Sequence, residues 1–307
     1  MRTASVGRTG VRVTSLGLGT AQLGDLYGVM PAATATAIVD AAWAGGIRYF
    51  DTAPHYGLGL AEARLGMALA HRDRGSYAVS TKVGRLIVET PHGPERRWDF
   101  SAAGVRRSLE ESLERLGLDR VDIVLVHDPE GHADAALDEA VPELARLRAA
   151  GTIGAVGVGS GDLRVLERFA VEADVDAVMV AGRLTLLDQT ALRSLVPACR
   201  ERGISILNAG VFNTGITAAP WPADDARYEY APASDAVLAR ARRIAGDATL
   251  SGTTLPQAAL KYAASERAVA SVVVGADSPH QIEESIAMMD DDSKPDGLWA
   301  ALAEAAP

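Results

Sequence analysis

Asp51, Tyr56, Lys82 and His127 are the residues of this sequence whose types and spacing could handle a proton together. The stretch from Gly45 to Gly57 reads Gly-Gly-Ile-Arg-Tyr-Phe-Asp-Thr-Ala-Pro-His-Tyr-Gly. Ile47 to Phe50 predicts a short strand after a helix ending near Gly45, and Asp51 begins the loop that leaves it. Tyr56 follows five positions later across Pro54, so the two side chains can converge on one point. Lys82 closes the strand-like run from Tyr77, and His127 closes the run from Val121. A lysine or histidine buried at the end of an apolar strand is costly without a polar partner, so each is expected to find one in a shared rim. A structural alternative has Asp51 capping its own turn, Tyr56 as an amphipathic rim residue and Lys82 in a plain ion pair.

The chemistry open to this set follows from the side chains. A free tyrosine has a pKa of about 10 and is a poor proton acceptor near neutrality. A lysine ammonium within hydrogen-bond reach favours the phenolate and pulls that pKa down. Asp51 would hold Lys82 charged and fixed. Tyr56 then becomes a proton relay, an acid toward a carbonyl and a base toward an alcohol, while His127 orients the substrate oxygen. None of these groups accepts a hydride, so redox chemistry here requires an organic cofactor.

The elements that must position them alternate along the chain. Thr3 to Val13 reads as a hairpin around Gly7-Arg8-Thr9-Gly10. Strands are predicted at Ser15–Gly19, Ile47–Phe50, Tyr77–Lys82, Asp122–Val126, Ile153–Val158, Ala177–Val180, Ile204–Leu207 and Val269–Val274. Helices are predicted between them at Ala32–Ala44, Ala61–His71, Ser101–Leu116 with Ser101 as N-cap, Ala135–Ala149, Leu163–Ala170, Gln189–Arg200, Ser234–Ala245 and Leu255–Ser265. An eightfold run of this kind implies an α/β fold, a (β/α)8 TIM barrel, whose strand C-terminal ends surround the active-site mouth. Long loops at residues 84–100 and 212–233 would leave those ends, and Trp98, Trp221 and Tyr230 in them are candidate substrate walls.

The 307 residues, 48% hydrophobic and 23% charged, suit one globular domain spanning residues 1–307. A net charge of −10 gives no electrostatic reason for nucleic acid or an anionic membrane as partner. No apolar run of about 18 residues and no signal-peptide core occur, and Cys199 is alone, so a cytoplasmic protein acting on a small molecule is expected. No metal ligand set is assigned, and the oligomeric state is not encoded in any pattern of the chain.

Leu16-Gly17-Leu18-Gly19-Thr20, Phe50 to Gly57 with Glu62 and Leu65-Gly66, Ser80-Thr81-Lys82-Val83-Gly84, Leu116 to Pro129 and Val274-Gly275-Ala276 stand in one order along the sequence. With these five blocks the chain resembles the aldo-keto reductase superfamily, and within it the bacterial aldose 1-dehydrogenase, L-fucose dehydrogenase and pyridoxal 4-dehydrogenase group. The resemblance implies a barrel plugged at the bottom by the N-terminal hairpin, with Asp51, Tyr56, Lys82 and His127 as catalytic set. It also implies a nicotinamide dinucleotide extended over the mouth, with Gly19, Thr20 and Asp51 beside it and Tyr56, His127 and Trp98 toward the substrate.

Further cofactor positions carry over by the same resemblance. Ser160-Gly161 stands where relatives hold the carboxamide, without the usual amide side chain. Leu184 aligns with the aromatic that stacks on the nicotinamide, leaving an apolar face. Ala209, Gly210, Val211, Phe212, Asn213 and Gly215 resemble the loop that wraps the pyrophosphate. Gly275, Ala276, Asp277, Gln281 and Glu284 lie at the 2′-end. There Ser278 at N-cap, Pro279 at N1 and Gln281 completing a capping box predict a helix start. NADP-using relatives carry a Lys and an Arg at the positions of Gly275 and Gln281, and neither is present. Asp277 or Glu284 could instead accept from a neutral 2′,3′-diol, so NAD is expected ahead of NADP.

An NAD-linked member oxidises more naturally than it reduces. The expected reaction is oxidation of the anomeric hydroxyl of an aldose such as L-fucose, D-arabinose or L-galactose to the lactone. The alternatives are an NADPH-dependent reductase of aldehydes or ketones and, in a different class, a cofactor-bound regulatory subunit.

Overall fold

The computed structural model describes residues 1–291, so residues 292–307 of the one-domain expectation lie outside the described residues. Strands β1 (Thr3–Ser5) and β2 (Arg12–Thr14) pair antiparallel as the expected hairpin. The chain continues through β3 (Leu16–Gly19), β4 (Tyr49–Asp51) and β5 (Ala78–Val83). A second hairpin follows, β6 (Arg85–Thr90) with β7 (Gly93–Trp98), and then come β8 (Val121–His127), β9 (Ile153–Ser160), β10 (Ala177–Ala181) and β11 (Ser205–Ala209). The two-residue strands β12 (Arg227–Tyr228) and β13 (Ala231–Pro232) precede β14 (Val269–Val274).

Strands β3, β4, β5, β8, β9, β10, β11 and β14 close into a barrel in that order, every pairing parallel. These are the eight strands read from the sequence, with ends shifted by a few residues. The (β/α)8 TIM barrel follows from their composition. Strands such as β8 (Val-Asp-Ile-Val-Leu-Val-His) and β14 (Val-Ala-Ser-Val-Val-Val) are apolar on both faces, one turned to the barrel interior and one to the helices.

Tyr49, Ile123, Leu125, Ala155, Met179 and Leu207 pack inside, and the hairpin residues Val6 and Val13 join the same cluster. The Gly7 amide also donates to Ser205 Oγ at 2.8 Å, which ties the hairpin to the start of β11. The hairpin therefore seals the barrel at the N-terminal ends of its strands, opposite the polar cluster. Outside, the helices bury Ile38, Leu65, Leu109, Leu144, Leu166 and Phe169 against the strands. Each such side chain contributes about 1.5–3 kcal/mol.

Local signals set the helix ends. Ser101 Oγ accepts from the Gly104 amide at 3.0 Å, and the helix Ala102–Leu116 ends at Gly117 with φ 63°. Two sequence expectations need correction. Residues 84–100 are a paired hairpin rather than a loop, launched by Gly84 at φ 100°, where a Cβ would strike the Phe100 ring at 2.2 Å. The helix expected at Gln189–Arg200 is a short turn, Thr190–Leu192, followed by a helix at Leu195–Arg202. Pro197 has no amide hydrogen and fits only a first turn, so the helix starts just ahead of it. Pro142 acts similarly: a widened turn at Ala136–Ala140 precedes the helix Val141–Ala149.

Candidate active site

Asp51 is the last residue of β4 and is buried. In parallel register it stands beside Ser80 of β5, and Ser80 and Lys82, two apart, share the inward face. Lys82 Nζ donates to Asp51 Oδ2 at 2.7 Å, to the Thr52 carbonyl at 2.9 Å and to Tyr56 Oη at 3.1 Å. All three protons of the ammonium are thus used, and one points at the phenol. Ser80 Oγ donates to Asp51 Oδ1 at 2.6 Å, which leaves Tyr49 Oη, 2.9 Å away, to donate to Ser80. The sequence reading missed Ser80 and Tyr49. Their signal is the alternation of two, which puts Ser80 on the same face of β5 as Lys82 and Tyr49 on the same face of β4 as Asp51.

His127 ends β8, and its ring stands edge-on to Tyr56 with centroids 6.0 Å apart. The structure therefore brings Asp51, Tyr56, Lys82 and His127 into one cluster at the C-terminal mouth. Burial works against the Lys82 charge, yet Asp51 and Tyr56 raise its pKa above the ordinary lysine value. The same cluster shifts Tyr56 in an unexpected direction. Burial raises its pKa above the ordinary tyrosine value and outweighs the pull of Lys82. Tyr56 is consequently a neutral phenol at physiological pH in this state. Burial, with the Lys82 and Arg85 charges, holds His127 well below the ordinary histidine range, so it is a neutral imidazole.

A second polar group adjoins this one and escaped the sequence reading. Arg85, the first residue of β6, reaches Asp128 Oδ2 at 2.8 Å and His55 Nε2 at 3.1 Å. Its guanidinium lies 4.3 Å over the Trp98 ring, which stacks on Phe100. Trp98, the expected substrate contact, is 42% exposed and reaches the cluster through Arg85. Burial and the neighbouring Arg85 charge lower the His55 pKa to about 4. Asp128, directly after His127, has φ 40° and places its carboxylate 3.6 Å from His127 Nε2.

The residues expected to hold a dinucleotide ring the same face. Gly19 ends β3, and the Thr20 amide donates to the Asp51 carbonyl at 2.9 Å. Thr20 Oγ1 and Asn213 Oδ1 are buried and have no hydrogen-bond partner among the described residues. Asn213 Nδ2 donates to the Gly182 carbonyl at 3.2 Å, which fixes its oxygen. Gly210 follows Ala209 at φ 64°, and a Cβ there would come within 3.0 Å of the Gly182 amide, so only glycine leaves the cradle open. Val211 is buried, Phe212 partly so, and Gly215 has φ 97° with open space beside it. These positions fit a bound dinucleotide.

Other expected cofactor positions are placed differently. Leu184 is only 1% exposed and packs in the core, so it presents no face to a nicotinamide; a leucine gains more there than at a wet rim. Ser160 Oγ donates to Glu130 and accepts from the Asp162 amide at 2.7 Å, while the neighbouring Gly161 carbonyl accepts from Arg183 Nε at 3.1 Å. At the far end, Ser278 Oγ accepts from the Gln281 amide at 3.3 Å. Gln281 Oε1 accepts from the Asp277 amide at 2.7 Å, one residue further back than the expected capping box. Glu284 faces His280 at 3.4 Å and remains exposed, as does Asp277 beside Gly275 and buried Ala276. A side chain at Gly275 would meet Gln22, whose amide lies 2.2 Å from the Cβ position.

The whole chain is also similar to known proteins. The chain is 44% identical to a D-threo-aldose 1-dehydrogenase of a Pseudomonas species, over 96% of this chain and 95% of that one. It is 36% identical to the pyridoxal 4-dehydrogenase of Microbacterium luteolum, over 97% and 95%. Among solved structures, the holo form of an aldo-keto reductase from Bacillus halodurans superposes with a TM-score of 0.84 at 24% identity, covering 100% of this chain and 97% of that one. Residues 15–305 match the Aldo/keto reductase family, and the chain belongs to that family.

Proposed function

We propose that this aldo/keto reductase oxidises the anomeric hydroxyl of an aldose such as L-fucose, D-arabinose or L-galactose to the lactone, with NAD as hydride acceptor. The observation that carries the reading is the Lys82 ammonium, shared between the Asp51 carboxylate and the Tyr56 hydroxyl. The nicotinamide dinucleotide, when bound, supplies the acceptor for the hydride from C1. Tyr56, as phenolate, takes the proton of the anomeric hydroxyl, and Lys82 stabilises the charge that oxygen carries. His127, neutral, donates one ring N–H to the same substrate oxygen. Asp51 keeps Lys82 charged and in place.

The substrate class is supported by the similarity to an aldose 1-dehydrogenase. NAD rather than NADP is supported by the 2′-end, where Asp277 is exposed and Gly275 and Gln281 offer no cation to a phosphate. A cytoplasmic location suits a chain whose one cysteine is free. The second reading, NADPH-linked reduction of an aldehyde or ketone, is favoured by the raised Tyr56 pKa, since a neutral phenol is ready to act as the acid.

Tryptophan fluorescence titration with NAD and NADP, on wild type and on Asp277→Arg, separates the two. Tighter NAD binding that the substitution reverses supports the oxidative reading. Tighter NADP binding by wild type overturns it in favour of reduction.

A further inference from the structure

The proton-handling set accounts for one substrate oxygen only. Beside it stand Arg85 and Asp128, which that chemistry does not use. Arg85 is held on three sides, by Asp128, by His55 and by the face of Trp98. Its Nε is nevertheless buried without a partner among the described residues. Asp128 has a positive φ of 40°, in the left-handed region that most residues other than glycine, Asn and Asp avoid. That conformation sets its carboxylate beside the His127 nitrogen that faces it and within reach of the Arg85 guanidinium. The result is a fixed acceptor and a fixed donor, side by side, next to the group that would hold the reacting oxygen.

A sugar hydroxyl both donates and accepts, and such a pair is its complement. An aldose carries a hydroxyl on the carbon next to the one oxidised; a simple alcohol or aldehyde does not. We infer that Asp128 and Arg85 bind the C2 hydroxyl of the sugar, Asp128 accepting its proton in a hydrogen bond and Arg85 donating to its oxygen, and so select polyhydroxyl substrates. This rests on the aldose reading above. Trp98, lying on Arg85, forms the outer wall of the same subsite and keeps the guanidinium from swinging into solvent.

The test compares kcat/KM for an aldose with that for its 2-deoxy analogue, in wild type, Asp128→Asn and Arg85→Gln, with dinucleotide affinity measured on each. Wild type is expected to prefer the aldose by about ten- to a hundredfold, the usual range for a hydrogen bond to a charged group. Both substitutions are expected to abolish most of that preference, the deoxy sugar losing less than about threefold and dinucleotide affinity staying unchanged. Equal losses on both sugars, or a wild type without preference, would overturn the inference and leave the aldose reading standing. A wild type that oxidises neither sugar yet reduces a simple aldehyde with NADPH would overturn both. Misfolding of a variant lowers both sugars together and weakens dinucleotide binding, so it cannot imitate the expected result.

Discussion

Lys82 Nζ stands 3.1 Å from Tyr56 Oη while held at 2.7 Å by Asp51, so a buried ion pair and a proton-transfer group are one object. Stability and chemistry are therefore coupled at this point. Replacing Lys82 by Met leaves the Asp51 carboxylate buried with, among the described residues, the Ser80 hydroxyl as its one side-chain donor. The expected cost is about 3–5 kcal/mol, as for other broken buried pairs. Urea unfolding of wild type and Lys82→Met checks it, and the double variant Lys82→Met/Asp51→Leu is expected to recover part of the loss.

The pH profile of oxidation follows from Tyr56. Its pKa lies above the ordinary value of about 10, raised by burial and only partly offset by Lys82. The base form gains population as pH rises, so kcat/KM for alcohol oxidation should climb through neutrality and still be rising at about pH 9. Reduction should show no such rise. Because His127 is held neutral, no inflection is expected at the ordinary histidine value of about 6.5. Steady-state rates across that range decide the point.

Acid stability depends on the same imidazoles. His55 and His127 both have folded pKa values below those of the unfolded chain, His55 at about 4. Between those values and about 6.5 the unfolded state binds protons that the folded state does not, so stability falls as pH drops below about 6.5. Chemical denaturation at a series of pH values should show this loss, and His55→Gln should flatten it.

Much of the site was legible because a barrel converts sequence position into place. Asp51 and His127 end their strands and Lys82 is next to last in its own, and strands in parallel register end on one face. Their convergence follows from counting. Arg85 and Asp128 were not legible in that way, since β6 and β7 bury too few of their side chains to show an alternation. Their meeting also depends on Gly84 turning the chain back toward β8. Leu184 failed for another reason: alignment gives a position along the chain, whereas the direction of the side chain is set by how well the core takes it. The rise in Tyr56 pKa was hidden because spacing reveals the lysine beside it but not the depth of burial around it.

In the proposed reaction Tyr56 takes a proton from an aldose while hydride goes to NAD. The direct measurement incubates wild type and Tyr56→Phe with NAD and a panel of aldoses, following NADH by absorbance and the sugar product by mass. Wild type is expected to yield NADH and lactone in equal amounts, and Tyr56→Phe to lose about 10²–10⁴-fold in kcat while still binding NAD. Lactone formation undiminished in Tyr56→Phe, or none by wild type with either dinucleotide, would contradict the account.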